Sequence, residues 1–206
     1  MHPNSEHYGV RRRTNGIRNL RNGSSSTSRT RIRSLEHSKG KEIMAMPQRE
    51  AHATDTWLTP QKILDPLGEF DLDPASPIEN REWVGAKKTF TELEDGLAQC
   101  WEGRGWLNPP YGRGIDRWMR KMAEHVKSGG SGIAFIFART DTSYWHNHIF
   151  PVAKGALFLA GRTKFFDSNG VEGKHAAPAP SVLIAYTYPD PDMLESTGLN
   201  GTLVRF

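Results

Sequence analysis

Cysteine and long apolar runs are both scarce in this chain of 206 residues. A single cysteine, Cys100, excludes a disulfide within the chain and is typical of a protein from a reducing compartment. No apolar run approaches the roughly 20 residues that a membrane-spanning helix needs. No apolar segment follows the N-terminal charges, as it would in a secretory signal. We therefore expect a cytoplasmic protein that has no membrane partner.

Metal-ligand spacing is also missing. His146, His148 and His175 stand at no ligand spacing from a carboxylate or from Cys100, so the sequence predicts no metal site.

Acidic residues are few in the first quarter of the chain. Residues 1–50 contain 11 Lys and Arg but only 4 Asp and Glu, whereas the whole chain has a net charge of +4. The segment alternates Arg with Ser and has no apolar period, which predicts a disordered basic tail over residues 1–50. Residues 51–206 then form one domain. The tail either adds salt-dependent affinity for phosphates or is a solvated arm or translated leader with no such role.

A proline-locked loop follows a short apolar segment in the middle of the chain. Residues 105–107 predict a strand, and Asn108-Pro109-Pro110-Tyr111 predicts a rigid loop directly after it, because each proline fixes φ and removes an N–H donor. The Asn108 side chain and the Pro109 carbonyl then offer acceptors beside the flat Tyr111 ring. This set suits a planar ring that carries an amino group. A plain surface turn is the alternative, since Asn-Pro and Pro-Pro are common in loops.

Two other predicted strands end in polar residues. Residues 69–73 alternate acidic and apolar residues before Pro74, and residues 132–138 form a continuous apolar run before Arg139. Ligands of open α/β sheets bind at the carboxyl ends of strands, so we expect Asp73 and Arg139 near one site. Between them, residues 115–126 have the apolar spacing of an amphipathic helix.

Seven short segments resemble, in order and spacing, the phage-type DNA N6-adenine methyltransferases of the Dam family over about residues 55–187. The N-terminal fifty residues are not covered. The segments are Trp57-Leu58-Thr59-Pro60, Phe70-Asp71-Leu72-Asp73-Pro74-Ala75, Asp95-Gly96-Leu97, Trp106 to Gly112, Ala138 to Thr142 with Trp145, Gly161-Arg162 with Phe165, and Pro180-Ser181.

The resemblance implies a Rossmann-like S-adenosylmethionine-dependent methyltransferase sheet, mostly parallel with a C-terminal antiparallel hairpin. It implies transfer of a methyl group from S-adenosylmethionine to N6 of an adenine flipped out of double-stranded DNA. Asn108, Pro109, Pro110 and Tyr111 would then be the catalytic residues. We expect a monomer or a weak dimer.

The resemblance also implies a cofactor site. Thr59 and Pro60 are expected at the amino-acid end of the cofactor, Asp73 below it, and Asp95 at its adenine amino group. The run after Asp73 has no glycine, although most enzymes of this kind have a glycine-rich turn there. The full expected set is Trp57, Thr59, Pro60, Asp73, Pro74, Ala75 and Asp95.

DNA contacts are expected from a local basic patch, because residues 51–206 sum to a net charge of −3. Its members are Arg113, Arg117, Arg139, Lys164 and Lys174. Two other functions remain open at this point. One is a methyltransferase of the same fold that acts on RNA or on a protein glutamine amide, and the other is a nucleic-acid-binding module without activity.

Overall fold

Seven strands form one sheet in the computed structural model, which describes residues 57–206. The predicted tail over residues 1–50 and the boundary after it lie outside the described residues. The strands are β1 (Leu72–Asp73), β2 (Lys88–Thr89), β3 (Arg104–Leu107), β4 (Ser131–Phe137), β5 (Gly155–Leu159), β6 (Ser181–Ala185) and β7 (Gly201–Arg205).

Five short helical segments connect the strands. The α-helices are α1 (Gln61–Leu64), α2 (Ile115–Lys127) and α3 (Asp190–Ser196), with a 3₁₀ turn at Asp65–Leu67 and a π-helix at Trp145–Ile149. Helix α2 is the predicted amphipathic helix, and it buries Met119, Met122 and Ala123. No helix within residues 57–206 is long and apolar enough to cross a membrane.

The sheet is mixed, and the expectation of a mostly parallel sheet is wrong. The strand order is β2-β1-β3-β4-β6-β5-β7. The pairs among β2, β1, β3 and β4 are parallel, whereas the pairs β4–β6, β6–β5 and β5–β7 are antiparallel. The antiparallel pairing of β5 with β6 is as expected, but β7 adds a further antiparallel edge.

The C-terminal segment supplies α3 and β7. Strand β7 has a weak sequence signal because it lies at the sheet edge, where most of its side chains are exposed and need not be apolar. Helix α3 buries Leu194 against the sheet.

The central strand β4 is buried on both faces, as its continuous apolar run predicts. Ala134 and Ile136 point into a cluster with Met119 and Met122 of α2. The alternate residues Ile133, Phe135 and Phe137 point to the other face, where α1 and α3 pack. The sheet is therefore the middle layer of three, and its strands cannot shift register without exposing one of the two cores.

The functional candidates lie along the edge of the sheet that is formed by the ends of the strands, and not along one of its outer strands. The carboxyl ends of β1, β2, β3, β4 and β5 all lie there, together with the amino ends of the antiparallel strands β6 and β7. The chain runs from β1 to β2 in one direction along the sheet and then crosses back to β3. This reversal opens a crevice between the ends of β1 and β3, which is where open α/β sheets bind ligands.

Candidate active site

Asp73 and Asn108 stand on either side of the crevice. Asp73 is the last residue of β1, and Asn108 directly follows β3, the neighbouring parallel strand. Their adjacency follows from strand order and not from the sequence, where they are 35 residues apart. Both line a cavity of about 30 Å³, here called the Asp73 cavity.

The Asn108 side-chain amide has one donor engaged and its acceptor unused. Its Nδ2 donates to the Trp57 carbonyl at 2.6 Å. Because a carbonyl oxygen can only accept, this contact fixes which end of the amide is the nitrogen. Oδ1 is buried and has no hydrogen-bond partner among residues 57–206. An unpaired buried acceptor costs free energy, so the site is built to receive a donor.

The aromatic ring of Tyr111 is partly buried and not exposed. Its ring stacks on Phe137 with centroids 4.1 Å apart and planes 18° from parallel, and Phe165 meets it edge-on at 6.3 Å. The Tyr111 hydroxyl is buried without a partner among the described residues. Burial, with a smaller effect of Tyr144, raises the pKa of the phenol well above its usual range. Tyr111 therefore stays neutral, and what it can offer a ligand is its ring and its O–H.

Asp73 is an unusual buried carboxyl group. Its residue is only 3% exposed, and burial raises its pKa to about 7, although the Ala75 N–H donates to Oδ1 at 3.1 Å and favours the charged form. A carboxyl group poised in this way becomes ionised when a cation approaches it. It is thus suited to a positively charged ligand.

Thr59 does not cap the first helix. The N-cap of α1 is Pro60, and no side chain makes a capping hydrogen bond to this helix. The Thr59 hydroxyl is instead buried and unpartnered among the described residues, while its carbonyl accepts from Trp83 Nε1 at 2.7 Å. Thr59 and Trp57 both line the Asp73 cavity. Pro60, although buried, is not among the residues that line this cavity or the two larger ones.

Two larger cavities flank the Asn108–Tyr111 loop. The Thr91 cavity, of about 480 Å³, is lined by residues after β1 and β2, including Pro74, Ala75, Thr91 and Glu92, and by Pro110 and Trp118. The Tyr111 cavity, of about 630 Å³, lies on the other side of the loop. Its walls include Trp57, Tyr111, Phe137, Phe165, Arg113, Arg139, Lys174 and His175.

Asp95 lies on an exposed turn and lines none of these three cavities. Its backbone has a φ of 50°, and its Oδ1 accepts from the Leu97 N–H at 3.2 Å. The next residue, Gly96, is so close to Pro74 that a Cβ there would overlap the Pro74 carbonyl. In this structure the turn holds the loop after β1 in place. A direct contact from Asp95 to a ligand remains a prediction.

The basic candidates divide into two groups. Arg113, Arg139 and Lys174 line the Tyr111 cavity and are exposed. Arg117 lies further along α2, and Lys164 is 3.9 Å from Glu172, outside the lining of the cavity. The structure thus brings together three of the five.

Comparison with known proteins identifies the family of this chain. A family model described as DNA N-6-adenine-methyltransferase (Dam) matches residues 47–200, about three quarters of the chain. The chain belongs to this family. Comparisons with curated proteins and with solved structures give no match. Membership in the Dam family indicates a methyltransferase that acts on adenine N6 in DNA.

Methyltransferases of the Dam kind generally use S-adenosylmethionine, and the residues around the crevice fit that molecule. Its sulfonium and ammonium groups are cationic, which suits the poised carboxyl group of Asp73. Its carboxylate suits a hydroxyl donor such as the unpartnered Thr59 Oγ1. Its vicinal ribose hydroxyls suit an exposed carboxylate such as Glu92 in the Thr91 cavity.

The sequence alone did not predict several of the residues that line these cavities. Thr91 and Glu92 follow β2, so the rule about carboxyl ends of parallel strands was the signal that could have found them. Phe137 and Trp118 gave no such signal, because an aromatic residue in a strand or an amphipathic helix is indistinguishable from core until the fold is known.

Proposed function

We propose that this protein transfers the methyl group of S-adenosylmethionine to N6 of an adenine that is flipped out of duplex DNA. The observation that carries the proposal is the buried, unpartnered Oδ1 of Asn108, held in place through Nδ2 by the Trp57 carbonyl. Such an acceptor is complementary to an amino hydrogen.

Asn108 and Pro109 act on the target amine. The lone pair of an adenine amine is delocalised into the ring, and two acceptors on its hydrogens favour a pyramidal nitrogen whose lone pair is available. The second acceptor is the Pro109 carbonyl, which receives no backbone hydrogen bond within residues 57–206. Fixed acceptors of this kind need no reorganisation during the reaction. S-adenosylmethionine supplies the electrophilic methyl group.

The Tyr111 cavity receives the flipped base, and the amino group of that base reaches the Asp73 cavity, which Asn108 and Pro109 line. Phe137 and Phe165 hold the Tyr111 ring in a fixed orientation, so that a base can pack against an aromatic wall that is already ordered. Stacking on an aromatic side chain offsets part of the cost of extruding a base from the duplex. Pro110 shapes the loop on the opposite side, where it lines the Asp73 and Thr91 cavities.

The cofactor occupies the Asp73 and Thr91 cavities. Asp73, Thr59 and Trp57 surround its amino-acid end, Pro74 and Ala75 lie below, and Glu92 holds the ribose. Asp95 has an indirect role, because its turn packs against the loop of Pro74. Pro60 also has an indirect role, because it is the N-cap of α1 and directly follows Thr59.

Arg113, Arg139 and Lys174 contact DNA phosphates around the mouth of the Tyr111 cavity, with Arg117 and Lys164 further out. The substrate is double-stranded DNA.

The test is methyl transfer from labelled S-adenosylmethionine by the full chain to duplex DNA, RNA and a protein extract in parallel, with Asn108→Ala as the control. The expected product is N6-methyladenine from duplex DNA with the wild type alone. Label in RNA or in protein glutamine, without label in DNA, would show that the substrate is RNA or protein and not DNA. No label in any arm would overturn the enzymatic function.

A further inference from the structure

A hairpin between β5 and β6 is connected to the catalytic amide through the main chain. Residues 165–173 form this hairpin: the Gly173 N–H donates to the Phe165 carbonyl at 2.8 Å, and the Asp167 N–H donates to the Val171 carbonyl at 2.9 Å. A tight turn closes it, in which Gly170 has a φ of 77°. The hairpin belongs to neither of the two layers of helices, so its position depends on a few specific contacts.

The first contact joins the hairpin to the segment that holds Asn108. Leu58 donates its N–H to the Phe166 carbonyl at 2.8 Å, and Phe166 returns an N–H bond to the Leu58 carbonyl at 3.0 Å. Leu58 is bonded covalently to Trp57, whose carbonyl accepts from Asn108 Nδ2 at 2.6 Å. Any shift of Phe166 therefore moves the group that orients the Asn108 amide.

Further contacts place the hairpin across the site. The Ser168 carbonyl accepts from Asn80 Nδ2, and Ser168 lines the Thr91 cavity. At its other end Gly173 leads into Lys174 and His175, and all three line the Tyr111 cavity. The Trp83 ring packs on Phe166 with centroids 5.5 Å apart. One hairpin thus touches the cavity proposed for the cofactor, the cavity proposed for the base, and the support of the catalytic acceptor.

We propose that the hairpin of residues 165–173 is a positioning element for Asn108, which acts through Phe166, Leu58 and the Trp57 carbonyl. DNA that contacts Lys174 and His175 presses on this hairpin, so occupancy of the Tyr111 cavity sets the orientation of Asn108 Oδ1. The proposal deepens the proposed function, because its effect on rate depends on methyl transfer.

Asp167 offers a way to loosen the hairpin without touching the site. Its Oδ1 accepts from the Asn169 N–H and from the Val171 N–H, both at 2.9 Å, and it lines none of the three cavities. Asp167→Ala removes both bonds. Asp167→Asn keeps an oxygen that can accept them, and is the conservative rescue. Asn169→Ala is the matched control, since that exposed residue contributes only its backbone N–H to the turn.

The experiment measures the single-turnover rate at saturating duplex and cofactor, the affinity for each, and hydrogen exchange of the Asn108 side-chain amide in protein labelled with ¹⁵N-asparagine. Asp167→Ala should lower the turnover rate about tenfold, as expected for a misplaced reacting group. Cofactor affinity should stay within about twofold, and the Asn108 Nδ2 protons should exchange faster. Asp167→Asn and Asn169→Ala should behave as the wild type.

If Asp167→Ala weakens DNA binding while the turnover rate at saturation and the Asn108 exchange stay unchanged, the hairpin is only a DNA contact and the proposal is overturned. If Asp167→Ala does not fold, Gly170→Ala replaces it, because an alanine at position 170 strains the same turn. The outcomes that support or overturn the proposal are then the same as for Asp167→Ala. The exchange measurement needs no methyl transfer. A wild type that methylates no DNA would therefore overturn the proposed function, while the exchange arm would still test the hairpin.

Discussion

The parallel and antiparallel halves of the sheet differ in what their strands lead to. Strands β1, β2, β3 and β4 are parallel, and three of them are four residues or shorter. At or just after their carboxyl ends stand Asp73, Thr91-Glu92, Asn108 and Arg139. In the antiparallel half, β6 consists of five buried residues. That half also carries the hairpin of residues 165–173 in its longest connection. The parallel half supplies polar groups to the crevice. The antiparallel half supplies buried core residues and the hairpin of residues 165–173.

This difference follows from strand direction. Parallel strands all present their carboxyl ends at one edge, so successive loops converge there. Strands β6 and β7 run the opposite way, so only their amino ends reach the site, and β5 is the one strand of that half whose carboxyl end lies there. Substitutions in the two halves should therefore separate: those at the parallel strand ends should affect binding and chemistry, and those in the antiparallel strands should affect stability.

The largest effect is expected from Asn108→Ala at the end of β3. Loss of the buried acceptor Oδ1 should lower the methyl-transfer rate by about 1000-fold, or about 4 kcal/mol in activation free energy. Affinity for S-adenosylmethionine should stay near that of the wild type, because in the proposed function this amide accepts from the target amine and not from the cofactor. Single-turnover kinetics and calorimetry give the two values. Near-normal turnover would remove the central assignment.

In the antiparallel half, Leu183→Ala should show the opposite behaviour. Leu183 in β6 is fully buried, so truncation should lower the free energy of unfolding by about 3 kcal/mol. The turnover rate of the protein that remains folded should not change. Urea unfolding and active-site titration test this separation. A large loss of turnover in fully folded Leu183→Ala would show that the two halves are not separable.

The buried carboxyl group of Asp73 should make stability depend on pH. Its pKa is about 7 in the folded protein, above the usual value of 3.8, so the folded state holds the proton more tightly than the unfolded state. Stability should therefore fall as pH rises from about 4 to 7 and level off above it.

Asp73→Asn removes this titration and should be more stable than the wild type at pH 8 by about 4 kcal/mol, with the difference shrinking toward pH 5. Urea unfolding without cofactor at several pH values measures it. The same variant should bind S-adenosylmethionine more weakly. An unchanged difference at both pH values would contradict the raised pKa.

Gly96→Ala should act on the cofactor site from a distance. The new Cβ would overlap the Pro74 carbonyl, so the loop after β1 must move. We expect about tenfold weaker cofactor binding, equivalent to about 1.4 kcal/mol, with unchanged affinity for DNA. The matched control is Gly114→Ala, since a Cβ at Gly114 meets nothing within 4 Å and its φ is −88°. Equal cofactor affinity of both variants would exclude the role given to the Asp95-Gly96 turn.

The smallest effects are expected from single basic residues around the Tyr111 cavity. Neutralising Arg113, Arg139 or Lys174 should raise the Michaelis constant for DNA a few-fold. Each lost phosphate contact should lower the slope of log affinity against log salt by about 0.9. Cofactor affinity should stay the same. The salt dependence of these variants is compared with that of a chain lacking residues 1–45, which should keep methyl transfer. If that deletion erased the salt dependence and the three substitutions left it, the tail would be the source of affinity.

The sequence by itself determined the main elements of the parallel half. Proline geometry predicted the loop at Asn108, and the continuous apolar run of residues 132–138 predicted a strand buried on both faces; both depend on local rules that act within a few residues. The order of short motifs pointed to the Dam family, which the family comparison confirmed. The predicted tail and the individual site residues remain predictions.

Tertiary structure decided what depends on distant pairing. Strand β7 became a strand only because β5 offers an edge to it, and this pairing extends a sheet that is already mixed through β6. The orientation of Asn108 depends on the carbonyl of Trp57, 51 residues away, and the closeness of Gly96 to Pro74 depends on two loops that meet. Hydrogen bonds and close approaches of this kind leave no periodic pattern in a sequence. They depend on which strands are neighbours in the sheet, and not on which residues are neighbours along the chain.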